Sequence, residues 1–119
     1  MFRTMCKSKI RGAVVTGTTL HYDGSIGIDK AILKAADLYP WERVQVVNLN
    51  NGARLETYVI EEEPGSGTIC LKGPAARLGQ VGDEVIIISY VQLAEEEAGK
   101  VKPVVVRLAE GNRLAEAAG

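Results

Sequence analysis

The chain has 119 residues, of which 46% are hydrophobic, 24% charged and 5% aromatic, the composition of one globular domain over residues 1–119 rather than of a multidomain machine. Fourteen Lys and Arg against fifteen Asp and Glu leave a formal net charge of -1, without the basic excess that phosphate neutralisation demands, so nucleic acid is not an expected partner. A chain of this length buries about two thirds of its unfolded surface, enough for one modest core, and leaves room for a site shared between subunits.

From the N-terminus, Met1 to Ile10 carries Arg3, Lys7 and Lys9 among few apolar residues and has no apolar stretch of the signal-peptide kind. Lys9 to Thr16 mixes polar and branched residues and predicts a strand running into a turn at Gly17-Thr18-Thr19. His21-Tyr22-Asp23-Gly24-Ser25 breaks any regular period. Asp29 is then placed to cap a short helix with Ile32, Leu33 and Ala36 on one face, ending near Pro40. Val44 to Leu49 predicts a strand, Asn50-Asn51-Gly52 a turn, and Arg54 to Ile60 the returning strand of a hairpin. Glu61 to Gly67 reads as an acidic, breaker-rich loop, followed by a brief strand over Thr68 to Leu71. Val81-Gly82-Asp83 turns into Glu84 to Val91, a branched run apolar on both faces and therefore central. Leu93 to Ala98 has room for one helical turn, and Val104 to Val106 is a further strand after Pro103.

Short strands, frequent glycines and the absence of a long helical crossover predict a mainly β chain, a small barrel with one or two short helices. The densest apolar run, Val85 to Ile88, is far below membrane-spanning length, so no membrane partner is expected and the reading is a cytoplasmic protein with reduced thiols. Leu108 to Gly119, rich in Gly and Ala, is expected to bury little.

Few residue clusters suggest chemistry unaided. Cys6 and Cys70 lie far apart and His21 is the single histidine, so no metal ligand set is expected. Ser25 lies four residues after His21 and can be drawn as a nucleophile with Asp23 or Asp29 as orienter, yet Asp-Gly-Ser is ordinarily a turn, and Gly65-Ser66-Gly67 repeats the same signal. Lys9, Arg54 and Lys72 suit a carboxylate, although isolated cations are ordinarily solvated. Tyr58 on a strand more often packs than reacts. Glu95-Glu96-Glu97 reads as a solvated face. Composition and spacing alone end at a β-rich domain without an assigned activity.

The ordered combination Arg3-Thr4-Met5, Lys9-Ile10, Leu20-His21-Tyr22-Asp23-Gly24-Ser25, Asn51-Gly52-Ala53-Arg54, Thr57-Tyr58, Gly73-Pro74-Ala75-Ala76 and Val81-Gly82-Asp83 resembles the pyruvoyl-dependent L-aspartate 1-decarboxylase family. The likeness continues through Glu95-Glu96-Glu97-Ala98 and Lys102-Pro103 to Asn112. It implies removal of the α-carboxylate of L-aspartate to give β-alanine and carbon dioxide, feeding pantothenate and coenzyme A biosynthesis. The implied fold is a double-psi β-barrel, assembled as a homotetramer with active sites between neighbouring subunits. The implied cofactor is a covalent pyruvoyl group made from Ser25 when a zymogen cuts its own Gly24-Ser25 bond into chains 1–24 and 25–119, with no external cofactor. Decarboxylation leaves an electron pair on Cα that requires a sink, and a Schiff base between substrate and the pyruvoyl group supplies one. A maturation partner is not identified by the sequence.

By position, the resemblance makes Tyr58 the proton donor to Cα and Arg54 and Lys9 the holders of substrate carboxylate. It makes Thr57 the residue that orients the bond being rearranged, and the backbone of Gly73, Pro74 and Ala75 a pocket wall. Thr57 and Tyr58 point to opposite faces of an ideal strand, which a site between subunits accommodates. Gly24 is expected to admit the attacking oxygen and to hold a strained backbone. Three positions depart from the family: Lys72, where Asn is frequent; Pro74, where Ala is common; and Arg11, where His is frequent. Lys72 is expected to face the substrate or solvent, and Pro74 removes a backbone donor. The alternatives are an unprocessed, catalytically idle β-barrel binding module and a hydrolase using Ser25 with His21.

Overall fold

Val44 and Val46 are buried while Arg43 and Gln45 look outward, and this period-two alternation makes a strand with one face on a core. A computed structural model describes residues 1–115. Nine strands run through it in chain order: β1 Phe2–Val14, β2 Gly17–Thr19, β3 Ser25–Asp29, β4 Arg43–Asn48, β5 Arg54–Glu62, β6 Ile69–Lys72, β7 Glu84–Ala94, β8 Val104–Ala109 and β9 Arg113–Leu114. The helices α1, Lys30–Ala35, and α2, Glu95–Ala98, are short, and a 3-10 turn covers Gly73–Arg77. The mainly β class with two short helices matches expectation.

Pairing follows the order β2-β6-β3-β5-β4-β7-β1-β8-β9. The chain closes this order into a ring, because β2 continues β1 through Val15 and Thr16. Val15 N–H donates to Asp83 O at 2.9 Å and Thr16 N–H to Ile69 O at 2.8 Å, so the end of β1 passes from the β7 side to β6. Counting β1 and β2 as one, six strands form a barrel, with β3 on β5 and β2 on β6 in parallel. A closed ring leaves few free edges, which suits a chain too small to cover them otherwise. Ile10, Ile26, Val44, Val59, Leu71 and Ile87, one from each strand, fill the interior. Each such side chain stabilises the fold by about 1.5–3 kcal/mol relative to exposure.

Asp29 caps α1, accepting the Ala31 N–H at 2.8 Å. It also accepts from Gly65 at 3.0 Å and Gly67 at 2.9 Å, tying the acidic loop to the helix. The helix stops at Ala35, well before Pro40, because Asp37 turns left-handed at φ 57°. The hairpin at Asn50-Asn51-Gly52 is present, with Gly52 at φ 74° and its N–H on Asn48 O.

Three readings are corrected and one strand is added. The first strand begins at Phe2 rather than Lys9, pairing Arg3 with Leu93, and register shifts at Cys6/Ser8 and Ile10/Ala13 hide its period. Gly17–Thr19 is a strand rather than a turn. The stretch after Gly24 forms β3, whose five residues are all buried. Finally, Leu108 and Asn112 are buried, so the C-terminal stretch contributes to the fold at least that far; residues 116–119 lie outside the described residues. Among the described residues no helix is long and apolar enough to cross a membrane.

Candidate active site

Ser25 opens β3, and its side chain is fully buried. Its Oγ donates to the Asp23 carbonyl at 3.5 Å. Opposite it on β6 stands Lys72, its antiparallel partner. Gly73 follows with φ 68°, and a Cβ there would lie 2.5 Å from Tyr22 O and 2.9 Å from Gly24 N. The backbone of Tyr22 to Gly24 therefore rests directly on Gly73, which no larger residue permits. Gly24 itself is less constrained than expected. Its φ is outside the left-handed region, and a Cβ would meet only Pro74 Cδ at 3.6 Å. The strained glycine of this site is Gly73.

Pro74 occupies the start of the 3-10 turn, where its missing N–H would have had no intrahelical partner. Ala75 is buried, and its carbonyl accepts from Leu78 at 3.0 Å. Lys72 is largely withdrawn from open solvent, with a side chain 15% exposed. Its Nζ lies 3.1 Å from Glu62 Oε2 and 4.8 Å above the centre of the Tyr22 ring.

The parallel register of β3 on β5 sets Ile26 beside Val59. Carried back along both strands, it puts Tyr58 level with Ser25 and Thr57 level with Gly24. Thr57 pairs with buried Val44 and Tyr58 with exposed Arg43, so the two side chains do take opposite faces. The Tyr58 ring stacks on Trp41, with centroids 5.3 Å apart.

Arg54 and Lys9 are not brought to Ser25 within one chain. Arg54 is four residues from Tyr58 along β5, roughly 13 Å, and its Nη1 donates to Gln45 Oε1 at 2.8 Å. Lys9 sits in a row with Ile88 on β7, Gln45 on β4 and Glu56 on β5. Lys9 and Arg54 thus share the barrel's outer surface, away from the buried serine.

The Ser25 hydroxyl turns to the Asp23 carbonyl, and among the described residues no hydrogen bond joins it to exposed His21. The hydrolase arrangement is therefore not formed. Among the described residues no group of three or more His, Cys, Asp or Glu is placed to hold a metal. Sequence reasoning missed Glu62, which looked like one more solvated acid of the loop; only the fold sets it beside Lys72.

The sequence profile of the aspartate decarboxylase family matches residues 1–115. The chain is 59% identical over 114 residues to the aspartate 1-decarboxylase of Listeria welshimeri, covering 96% of this chain and 90% of that one. It is 57% identical over 113 residues to that of Thermoanaerobacter pseudethanolicus, covering 95% and 97%, and 59% identical over 112 residues to that of Desulfitobacterium hafniense, covering 94% and 88%. Among solved structures, a rationally designed protein overlaps 73% of this chain and 94% of its own, with 18% identity and a TM-score of 0.46. With a family match over residues 1–115 and relatives near 58% identity, the chain belongs to the aspartate decarboxylase family.

Proposed function

We propose that this chain is a self-processing aspartate 1-decarboxylase that converts L-aspartate to β-alanine and carbon dioxide, in the cytoplasm and in the service of pantothenate synthesis. The observation that carries the reading is the seat of one peptide bond: Ser25 is buried at the start of a strand, and the backbone before it is laid on Gly73. On this reading Ser25 Oγ adds to the Gly24 carbonyl carbon as the peptide C–N bond breaks, leaving an ester and a free amine. Loss of the residue-25 Cα proton then expels the Gly24 carboxylate, and addition of water with release of ammonia leaves a ketone. The small residue at 24 and the buried hydroxyl fit that group, since burial excludes bulk water from competing at the ester.

A pyruvoyl group at residue 25 supplies the electron sink that a decarboxylation needs. The chain's own residues do the rest. Thr57, level with Gly24, orients the bond that rearranges. Tyr58, level with Ser25, delivers a proton to substrate Cα from its phenol. Gly73, Pro74 and Ala75 form the pocket wall. Arg54 grips a carboxylate with two parallel donors and Lys9 adds a point charge. Because one chain leaves these two cations far from Ser25, they are supplied by a neighbouring copy, in a homotetramer of double-psi barrels.

Intact mass under denaturing conditions tests the reading. Fragments 1–24 and 25–119, with the larger lighter by one ammonia than simple hydrolysis predicts, support it. A single uncleaved mass after prolonged warming refutes it and leaves an idle barrel.

A further inference from the structure

The Gly24-Ser25 bond has beside it an ion pair that the reaction above does not use. Lys72 stands opposite Ser25 at the end of β6, at a position where the family often has Asn. Its side chain is 15% exposed and that of its partner, Glu62, 24%. Glu62 in turn lies across Gly27 of β3, where any Cβ would collide with its carboxylate arm. The acid therefore has a fixed seat, and a half-buried pair held in such a seat keeps its geometry better than one waving in water.

The ammonium so fixed is set over the Tyr22 ring at 4.8 Å, within the range of a cation–π attraction. Tyr22 needs such an anchor. Leu20 to Asp23 are exposed and outside any strand; within the segment, Tyr22 N–H bonds only back to Leu20 O at 3.1 Å. Yet the carbonyl of Tyr22 and the nitrogen of Gly24 lie close against Gly73, where the chain enters the buried setting of Ser25. The contacts thus run in one line: Glu62 to Lys72, Lys72 to Tyr22, Tyr22 to the scissile bond.

We propose that Lys72 is a positioning residue for self-cleavage: Glu62 fixes its ammonium, the ammonium holds the Tyr22 ring, and the held ring keeps the backbone of Tyr22 to Gly24 seated on Gly73 next to Ser25. Lys72 touches no reacting atom in this role. The inference rests on the reading that the chain cleaves itself.

The test follows cleavage of freshly purified full-length chain over time by intact mass. Lys72→Met and Tyr22→Leu are expected to slow cleavage about tenfold, the size of a partly desolvated cation–π contact. The variants that keep cation and ring, Lys72→Arg and Tyr22→Phe, are expected to stay within about twofold of the parent, and the double variant Lys72→Met/Tyr22→Leu to be no slower than either single one. Thermal unfolding of each in a Ser25→Ala background checks that the barrel is intact. Equal rates in all variants, a slow Tyr22→Phe, or additive losses in the double variant overturn the proposal while leaving self-cleavage standing. A parent chain that never cleaves overturns both.

Discussion

Asn112 reaches Gly67 across the barrel's C-terminal seam, its Nδ2 donating to the Gly67 carbonyl at 2.8 Å. The same amide brackets Val14, donating to its carbonyl at 2.8 Å and accepting its N–H at 2.8 Å. One buried side chain thereby ties three places: the end of β1, the loop before β6, and the turn between β8 and β9. Asn112 does so from a left-handed backbone, φ 55°, a conformation Asn tolerates better than most residues.

Replacing Asn112 by Ala leaves the N–H and carbonyl of Val14 and the carbonyl of Gly67 without this partner, and puts Ala, which tolerates positive φ less well than Asn, at φ 55°. The expected cost is about 3 kcal/mol. Asn112→Asp keeps the acceptor for Val14 N–H but removes both donations, so it should be destabilised as well. Urea unfolding of both variants, made in a Ser25→Ala background to keep the chain whole under the proposed self-cleavage, measures this. An Asn112→Ala midpoint equal to that of the parent would show that water replaces the amide without loss.

Asp29 sets an acid limit on stability. Burial acts to raise its carboxyl, but the N–H groups of Gly67, Gly65, Ala31 and Ile32 outweigh that and hold it below the usual value of 3.8. A group with a lowered folded pKa adds stability that is present above its unfolded pKa and is lost as pH falls through the folded one. Asp29→Asn, which retains one acceptor, should therefore be less stable than the parent at pH 7 by about 1–2 kcal/mol. The difference should narrow below about pH 4. Urea midpoints between pH 7 and pH 3 decide the matter: a gap that stays constant would mean that charge plays no part in this cap.

The parts of this fold that were legible in the sequence share a physical cause. The β4–β5 hairpin declares itself because Val44 and Val46 alternate with polar neighbours and Asn51-Gly52 suits positive φ, and Asp29 declares itself as a cap. What escaped was geometry that leaves no period. The strand β3 has five buried residues with a glycine in the middle, and a short two-sided strand carries no alternation. The first half of β1 is hidden by its bulges. At the site, Gly24, Ser25, Thr57 and Tyr58 were legible only through the resemblance to a family, since Asp-Gly-Ser alone is a turn. The partnership of Lys72 with Glu62 joins the ends of β6 and β5 and has no local signature at all.

Gly73 and Gly24 should respond very differently to a methyl group. At Gly73 an Ala is strained by φ 68° and presses on Tyr22 O and Gly24 N, both backbone atoms that cannot swing aside. At Gly24 it meets Pro74 Cδ at an ordinary 3.6 Å. In a Ser25→Ala background, Gly73→Ala should cost about 1–3 kcal/mol and Gly24→Ala less than about 0.5 kcal/mol. With Ser25 restored, Gly73→Ala should also cleave far more slowly, because the backbone it displaces carries the scissile bond. Comparable stabilities for the two variants would show that the loop before Ser25 gives way freely.

The separation of Ser25 from Arg54 makes the proposed site between subunits open to a mixing experiment. On the proposed function, Ser25→Ala chains form no reactive group and Arg54→Ala chains lack the carboxylate clamp, so each assembly alone should decarboxylate L-aspartate at well under a hundredth of the parent rate. When the two are produced together and assemble at random, about a quarter of sites combine an intact Ser25 from one subunit with an intact Arg54 from its neighbour. Activity should then return to about a quarter of the parent value, with an unchanged KM, since the rescued sites are complete. Carbon dioxide release from the co-produced mixture, against the same two proteins purified apart and mixed without exchange, reads the difference. Mixed assemblies as inactive as either parent variant would mean that Arg54 serves the serine of its own chain, and that a movement of roughly 13 Å along β5 separates this structure from the working one.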